Sequence, residues 1–249
     1  MLQPLYISLS SFGADEVRGR GQPWYADLAM AAGADGVEVR GELLREGGEE
    51  LVQLAGCAAV YSSPDGLWRV DGTLDDAALA HGLATAAALR APRLKMAIGG
   101  FGPASQASLE VLRAQLVGQS VELLIENDQT PSAGTLDALE RFFAAQSQAG
   151  LDLGMTFDMG NWHWLGECPL QAAQALAPHV RYIHCKGVQR LPAKWVAVPL
   201  ADSAAPWRAV LRALPSGVPH AIEYPLAGGD LADVTREQLA QVRAVRKTP

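Results

Sequence analysis

The sequence is poor in histidine and cysteine and has no excess of positive charge. Its 249 residues include five His and three Cys, and the formal net charge is −7. Proteins that bind nucleic acid normally carry a basic face, so we do not expect a nucleic-acid partner. Cys57, Cys168 and Cys185 form no CxxC pair, and such a sparse, odd set is typical of reduced thiols. We therefore expect a cytoplasmic protein.

Long apolar runs and interdomain linkers are also missing. No apolar run approaches the roughly 20 residues of a transmembrane helix. The first residues, MLQPLYISLS, lack a basic leader followed by an apolar block, so we expect no signal peptide. No Gly/Ser-rich or Pro-rich stretch is long enough to divide the chain. We expect no membrane partner and a single domain over residues 1–249.

Strand-like and helix-like segments alternate about eight times, a pattern that implies parallel strands joined by crossover helices. Cys57–Ser62 is the weakest of the strands, and Ser10–Gly21 has the composition of a polar loop. The chain length is close to the ~250 residues that are usual for a closed barrel of this kind. We predict the α/β class and a single (β/α)8 TIM barrel.

Four of the strand-like runs end on residue types that bind metal ions. VELLIE ends on Glu126, LDLGMTFD on Asp158, VRYIH on His184 and HAIE on Glu223. In a barrel the carboxyl ends of all strands surround one mouth, whereas in an open sheet they can lie far apart. Any one of these residues could be a lone polar side chain solvated at the mouth. Together they predict one metal site, with Asp158 in contact with solvent.

The chemistry of the four side chains limits which metal ions could bind. An oxygen-rich set with one nitrogen suits Mn²⁺, Mg²⁺ or Co²⁺, and Zn²⁺ is a further candidate. Three acids at one mouth would repel one another unless a cation compensates them. We expect one divalent ion as the cofactor.

Other polar residues share the inner face of the predicted barrel, because strand side chains alternate between faces. The same alternation places Glu38 and Arg40 inward on the second strand and Lys95 inward on the fourth. It also places Lys186 on the same face as His184. Glu38 is a candidate substrate or supporting contact. Lys95 could bind an oxyanion or a phosphate, or could be a solvated residue at a strand end.

The order of the motifs IEND, FDMGNW, IHCKG and IEY resembles the xylose isomerase-like TIM-barrel superfamily, which includes the sugar phosphate isomerase/epimerase (AP endonuclease 2-like) group. The resemblance extends over nearly the whole chain, but it does not specify a substrate. It implies that Glu126, Asp158, His184 and Glu223 bind one divalent metal and that the two Glu form the acid/base pair. An Arg after the metal His often contacts substrate in that family, which implies this role for Arg190.

The chain departs from the family pattern at two places. Epimerases commonly have Asp-x-x-His after the sixth strand, whereas Asn161 holds the His position here and His163 follows two residues later. Many relatives have an acid soon after the seventh-strand His, where this chain has Lys186 and Gly187. We include Asn161, His163 and Lys186 among the candidate substrate contacts.

These features favour a metal-dependent sugar or sugar phosphate isomerase or epimerase that transfers a proton through a metal-stabilised enediolate. Dehydration of a keto-polyol of the inosose type would use the same enolate and stays an alternative. An endonuclease IV-like phosphodiesterase is disfavoured by the five His and the negative charge. A sugar-binding barrel without catalysis is the remaining alternative. The expected partner is a small-molecule sugar, and a homo-oligomer is compatible with the sequence.

Overall fold

Eight parallel strands form a closed barrel in the computed structural model, which describes residues 3–245. Around the barrel the order is β1-β10-β7-β6-β5-β4-β3-β2, so every strand has two hydrogen-bonded neighbours. The strands are β1 Leu5–Ser8, β2 Val37–Arg40, β3 Ala58–Trp68, β4 Arg93–Gly99, β5 Glu122–Glu126, β6 Gly154–Asp158, β7 Val180–Cys185 and β10 His220–Ile222. The predicted (β/α)8 TIM barrel is confirmed.

Helices connect the strands and cover the outside of the barrel. They are α1 Ala14–Arg20, α2 Gln22–Ala31, α3 Glu49–Leu54, α4 Asp76–Ala88, α5 Ser108–Leu116, α6 Leu136–Gln148, α7 Pro169–Leu176, α8 Trp207–Ala213 and α9 Leu231–Val245. Side chains that accept backbone hydrogen bonds mark two of the starts. Asp75 accepts from the amide of Ala78 at α4, and Thr135 accepts from the amide of Ala138 at α6.

The apolar core is divided by the barrel wall into two layers. Leu124, Tyr182 and Ala221 belong to a small cluster inside the barrel. Ile125 and Phe157 belong to the larger cluster between the strands and the helices. The alternation of strand side chains predicts this division, and it places the acids at the strand ends on the inner face above the small cluster.

Two segments differ from the sequence-based expectation. The stretch Ser10–Gly21 is not a loop, because it contains a short 3-10 helix, Leu9–Phe12, followed by α1. Helix α1 has one buried residue, Val17, so its sequence carries almost no apolar periodicity. The third strand extends to Trp68, well beyond Ser62, after a register shift in its pairing with β4.

A hairpin of two antiparallel strands, absent from the sequence-based prediction, follows β7 directly. It consists of β8 Gly187–Arg190 and β9 Trp195–Val198. The strands are short and largely half-buried or exposed, so neither alternates strongly between apolar and polar residues. Because the hairpin begins at the carboxyl end of β7, it lies on the side of the barrel where the predicted ligands are.

None of the helices within residues 3–245 combines the length and the apolar character that crossing a bilayer requires.

The inner cluster gives a test of the barrel. Leu124 is fully buried, so Leu124→Ala should lower the free energy of unfolding by about 2–5 kcal/mol, through lost transfer free energy and the cavity left behind. The measurement is urea denaturation followed by circular dichroism. Leu191→Ala is the matched control, because Leu191 is 39% exposed and should change stability by no more than about 0.5 kcal/mol. Equal effects of the two substitutions would contradict the interior position of Leu124.

Candidate metal centre

Four adjacent strands bring the predicted metal ligands together. Glu126 ends β5, Asp158 ends β6, His184 lies in β7, and Glu223 directly follows β10. These strands are consecutive around the barrel. One donor atom from each residue lies within 4.8 Å of those of the other three, so the group could hold a metal ion. The convergence follows from barrel closure, since the acids are up to 97 residues apart along the chain.

The imidazole of His184 lies at the centre of the group. Its Nδ1 atom is 2.8 Å from Glu223 Oε2 and 3.0 Å from Glu126 Oε1. Asp158 Oδ2 is 3.6 Å from the same nitrogen. One ring nitrogen therefore faces the three carboxylates, and it is the atom that would bind a metal.

Asp158 is fully buried, so the expectation that it contacts solvent at the mouth is wrong. Its Oδ1 atom accepts hydrogen bonds from the amides of Gly160 and Asn161, at 2.7 and 2.9 Å. The loop after β6 therefore folds back over the carboxylate and covers it. The other oxygen, Oδ2, forms an ion pair with Lys186 Nζ at 2.6 Å.

Asn127 ties the ends of β5 and β6 together. Its side-chain amide donates to the carbonyl of Asp158 and accepts from the amide of the same residue, at 3.0 and 2.8 Å. Asn161 in turn donates to the carbonyl of Asn127 at 2.9 Å. Sequence reasoning did not select Asn127, although its position directly after Glu126 was an available signal.

A buried carboxylate orients the imidazole ring of His184. Glu38 accepts a hydrogen bond from His184 Nε2 at 2.7 Å, which orients the ring so that Nδ1 faces the other acids. Ser8 and Lys95 each contact Glu38 Oε1 at 3.2 Å. Histidine ligands usually donate their second ring N–H to such an acceptor. Glu38 is 0% exposed, a position that suits support of the ligand set.

Basic side chains compensate the charge of the acids. Lys95 is buried, not solvated, and its Nζ atom is 2.9 Å from Glu126 Oε1. Arg40 donates to Glu223 Oε1 at 2.6 Å. Lys186 Nζ is 2.6 Å from Asp158 Oδ2. The alternation of strand side chains predicted that Arg40 lies on this face, but it did not predict the contact of Arg40 with Glu223.

The two catalytic candidates have pKa values below the ordinary range for a carboxylic acid. Burial raises the pKa of Glu126, but the Lys95 ammonium and the His184 imidazole outweigh burial. Burial also raises the pKa of Glu223, and His184 and Lys186 lower it by more. Both carboxyl groups are therefore ionised at neutral pH, as a metal ligand or a general base must be.

His184 has the opposite shift. Burial lowers its pKa, but Glu223 and Glu38 raise it further, so that the pKa lies well above the ordinary value. The surrounding carboxylates thus favour the imidazolium form, in which the two ring protons face Glu223 and Glu38. Binding of a metal at Nδ1 would release one of them.

The remaining predicted contacts lie toward the loops. Asn161 accepts from Gln129 Nε2 and from Lys186 Nζ, at 3.0 and 3.1 Å. The ring of His163 lies 5.0 Å from that of Trp195 in the hairpin. The guanidinium of Arg190 lies 5.5 Å from the centre of the same Trp ring. Asn161 thus contacts the acid cluster through Lys186. His163 packs against the hairpin, and Arg190 lies within it.

The donor set suits a divalent ion. Three carboxylates and one imidazole are hard or borderline ligands, as Mg²⁺, Mn²⁺, Co²⁺ and Zn²⁺ require. Asp158 Oδ2 is buried 3.6 Å from His184 Nδ1, and the ammonium of Lys186 lies 2.6 Å from it. A buried carboxylate needs a compensating cation, and a divalent ion would be one. The ligands would be Glu126, Asp158, His184 and Glu223.

Comparisons with known proteins agree with this fold. No protein-family model matches the sequence, and no curated protein matches it. Among solved structures, a protein described as a xylose isomerase-like TIM barrel/4-hydroxyphenylpyruvate dioxygenase fusion protein matches with a TM-score of 0.76 and 12% identity. The match covers 98% of this chain and 43% of that protein, so the chain spans less than half of the fusion protein's length.

Two further matches are similar to this chain in length. The probable 3-DHS dehydratase AsbF from Bacillus anthracis has a TM-score of 0.70 and 14% identity, over 96% of this chain and 98% of AsbF. An L-ribulose 3-epimerase has a TM-score of 0.70 and 15% identity, over 99% and 95% of the two chains. At these identities the likeness establishes the fold alone. The chain has the fold of the xylose isomerase-like TIM barrels, as its motifs predicted.

The burial of Asp158 predicts the effect of neutralising it. In metal-free protein, Asp158→Asn should lower the free energy of unfolding by about 1–3 kcal/mol, because it leaves the Lys186 ammonium without the carboxylate oxygen that lies 2.6 Å from it. Asp152→Asn is the matched control, since the Asp152 side chain is 87% exposed and its ion pair with Arg181 should contribute little. Chelator-treated proteins would be compared by urea denaturation. Equal stability of Asp158→Asn and the parent would contradict the stabilising role of the Asp158–Lys186 ion pair.

Proposed function

We propose that this chain is a divalent-metal-dependent isomerase or epimerase that acts on a sugar or sugar phosphate. One observation supports it most directly: of the four candidate ligands, Glu126 and Glu223 keep side-chain exposure, 16% and 10%, whereas Asp158 and His184 have 0%. The two glutamates also lie at the carboxyl ends of the outer two of the four adjacent strands β5, β6, β7 and β10. A substrate above the group would therefore meet a carboxylate at each end.

The proposed reaction is proton transfer at a carbon next to a carbonyl. One glutamate removes the proton, and the other, or the same one, returns it to a neighbouring atom or to the opposite face. Arg40 and Lys95 hold Glu223 and Glu126 in place through the short contacts described above. A bound divalent ion would supply Lewis-acid stabilisation of the negative charge on the substrate oxygens. The same carboxylates would orient that ion.

Dehydration of a keto-polyol is the second candidate, and Lys186 favours it specifically. Its ammonium lies 2.8 Å from Glu223 Oε2 and its side chain is 11% exposed. An ammonium at the mouth can donate a proton to a departing hydroxyl group. Burial lowers the pKa of Lys186, but Asp158 and Glu223 raise it by more, so the ammonium would be a better donor once it leaves these acids. The fold shared with a 3-DHS dehydratase is compatible with this reaction. Identification of the product, as an isomer or as a dehydrated compound, distinguishes the two candidates.

Replacement of the two glutamates tests the proposal. Exchange of substrate hydrogen for solvent deuterium should fall by about 100- to 10,000-fold in Glu126→Gln and in Glu223→Gln, the usual contribution of a general acid or base. The measurement is mass spectrometry of a ketose and inosose panel after incubation in D₂O, with metal content determined for each protein. Glu110→Gln, which changes an exposed residue of α5, should exchange at the parental rate.

Two results would contradict this assignment. Exchange at the parental rate by metal-loaded Glu126→Gln and Glu223→Gln would show that the bases lie elsewhere. Tight binding of a sugar by the parent protein, with neither exchange nor a product, would favour a barrel that binds sugar without catalysis.

A further inference from the structure

The ammonium group of Lys186 lies among the oxygens that would bind the metal. Its Nζ atom is 2.6 Å from Asp158 Oδ2 and 2.8 Å from Glu223 Oε2. It also donates to Asn161 Oδ1 at 3.1 Å. Two of these three oxygens belong to the candidate metal ligands Asp158 and Glu223. A cation of the protein itself therefore bridges two of the ligands.

The local backbone provides space for this side chain. Gly160 packs against its methylenes, and a Cβ added at Gly160 would come within 2.7 Å of Lys186 Cδ. Gly187 follows directly, where a Cβ would lie 2.6 Å from the carbonyl of Val198 in the hairpin. The first approach places the Lys186 stem against the loop after β6, and the second brings the backbone after Lys186 close to the hairpin. The absence of a side chain at Gly160 therefore leaves room for the Lys186 stem beside the carboxylates.

The buried acids already have basic partners among the described residues. The carboxylates of Glu38, Glu126, Asp158 and Glu223 contact the guanidinium of Arg40 and the ammonium groups of Lys95 and Lys186. A divalent ion would bring two more positive charges beside these buried cations, which is electrostatically unfavourable unless one of them moves away. Lys186 is the candidate to move, because it contacts two of the candidate ligands and its side chain is 11% exposed, against 1% for Lys95. Arg40 contacts only one of the four, Glu223.

We propose that the Lys186 ammonium is an internal cation that competes with a divalent metal for Asp158 and Glu223. The ion and the ammonium cannot both contact Asp158 Oδ2 and Glu223 Oε2, so metal binding requires Lys186 to move toward the mouth. Lys186 thereby lowers the affinity for metal and stabilises the acids while no metal is bound. This inference rests on the metal site of the proposed function, but it does not depend on the reaction or the substrate.

Metal affinity measured without any substrate tests the competition. Chelator-treated parent and Lys186→Met proteins would be titrated with Mn²⁺ by isothermal calorimetry. Lys186→Met should bind Mn²⁺ about 10- to 100-fold more tightly, a gain as large as the loss that follows when a group that supports metal ligands is removed. Lys186→Arg keeps the charge and should bind no more tightly than the parent. Lys194→Met removes an exposed lysine of the neighbouring hairpin turn and should leave the affinity unchanged.

Thermal unfolding provides a second measurement that does not require a fully stable variant. Without metal, Lys186→Met should melt below the parent, because Asp158 and Glu223 lose their cation. Saturating Mn²⁺ should raise its melting temperature by more than that of the parent, since a ligand that binds more tightly stabilises more. Lys186→Gln provides the same test if the Met variant does not fold.

The outcomes separate this inference from the proposed function. Tighter binding by Lys186→Met, including binding where the parent shows none, supports the competition. Equal or weaker binding by Lys186→Met and Lys186→Gln than by a metal-binding parent overturns the competition and leaves the metal site in place. Absence of binding in all folded variants overturns both.

Discussion

The pairing of buried carboxylates with buried cations is the interaction on which this site depends. An isolated carboxylate in the interior would cost several kcal/mol of solvation, or would become protonated. Glu38, which is fully buried, avoids this because the imidazole of His184 and the ammonium of Lys95 both contact it. Removal of one partner from such a network leaves an uncompensated charge. The basic residues are therefore as necessary to the site as the candidate ligands.

Barrel closure makes this pairing achievable. Glu38 and His184 are 146 residues apart in the chain and 2.7 Å apart in space. Strands β5, β6, β7 and β10 each hold a candidate ligand at or near the carboxyl end, and the ring of strands keeps these residues at one mouth. The loop after β6 then covers the carboxylate of Asp158. The result is a group of charges largely removed from water, where electrostatic interactions are strong.

The contact of Lys186 with two candidate ligands changes how metal dependence should be understood. In a site with unpaired acids, the ion provides the missing charge. Here Lys186 provides part of that charge, so the ion must replace it, and metal binding becomes an exchange of one cation for another. A flexible four-carbon stem suits such a residue, because the ammonium can move without a change in the backbone.

Local sequence patterns were sufficient for the barrel class and for the four candidate ligands. A strand's apolar run and the polar residue that ends it are adjacent in the chain, and the side-chain parity of a strand is a local property, so Leu124 and Glu126 could be placed on one face. Burial and pairing were decided by contacts between distant segments. Asp158 is buried because the following loop folds over it, and Lys186 neutralises Asp158 because β6 and β7 are neighbours in the closed barrel. Helix α1 and the hairpin were missed because their residues contact the rest of the protein on too few sides to show a periodic pattern, and their conformation follows from the surfaces on which they lie.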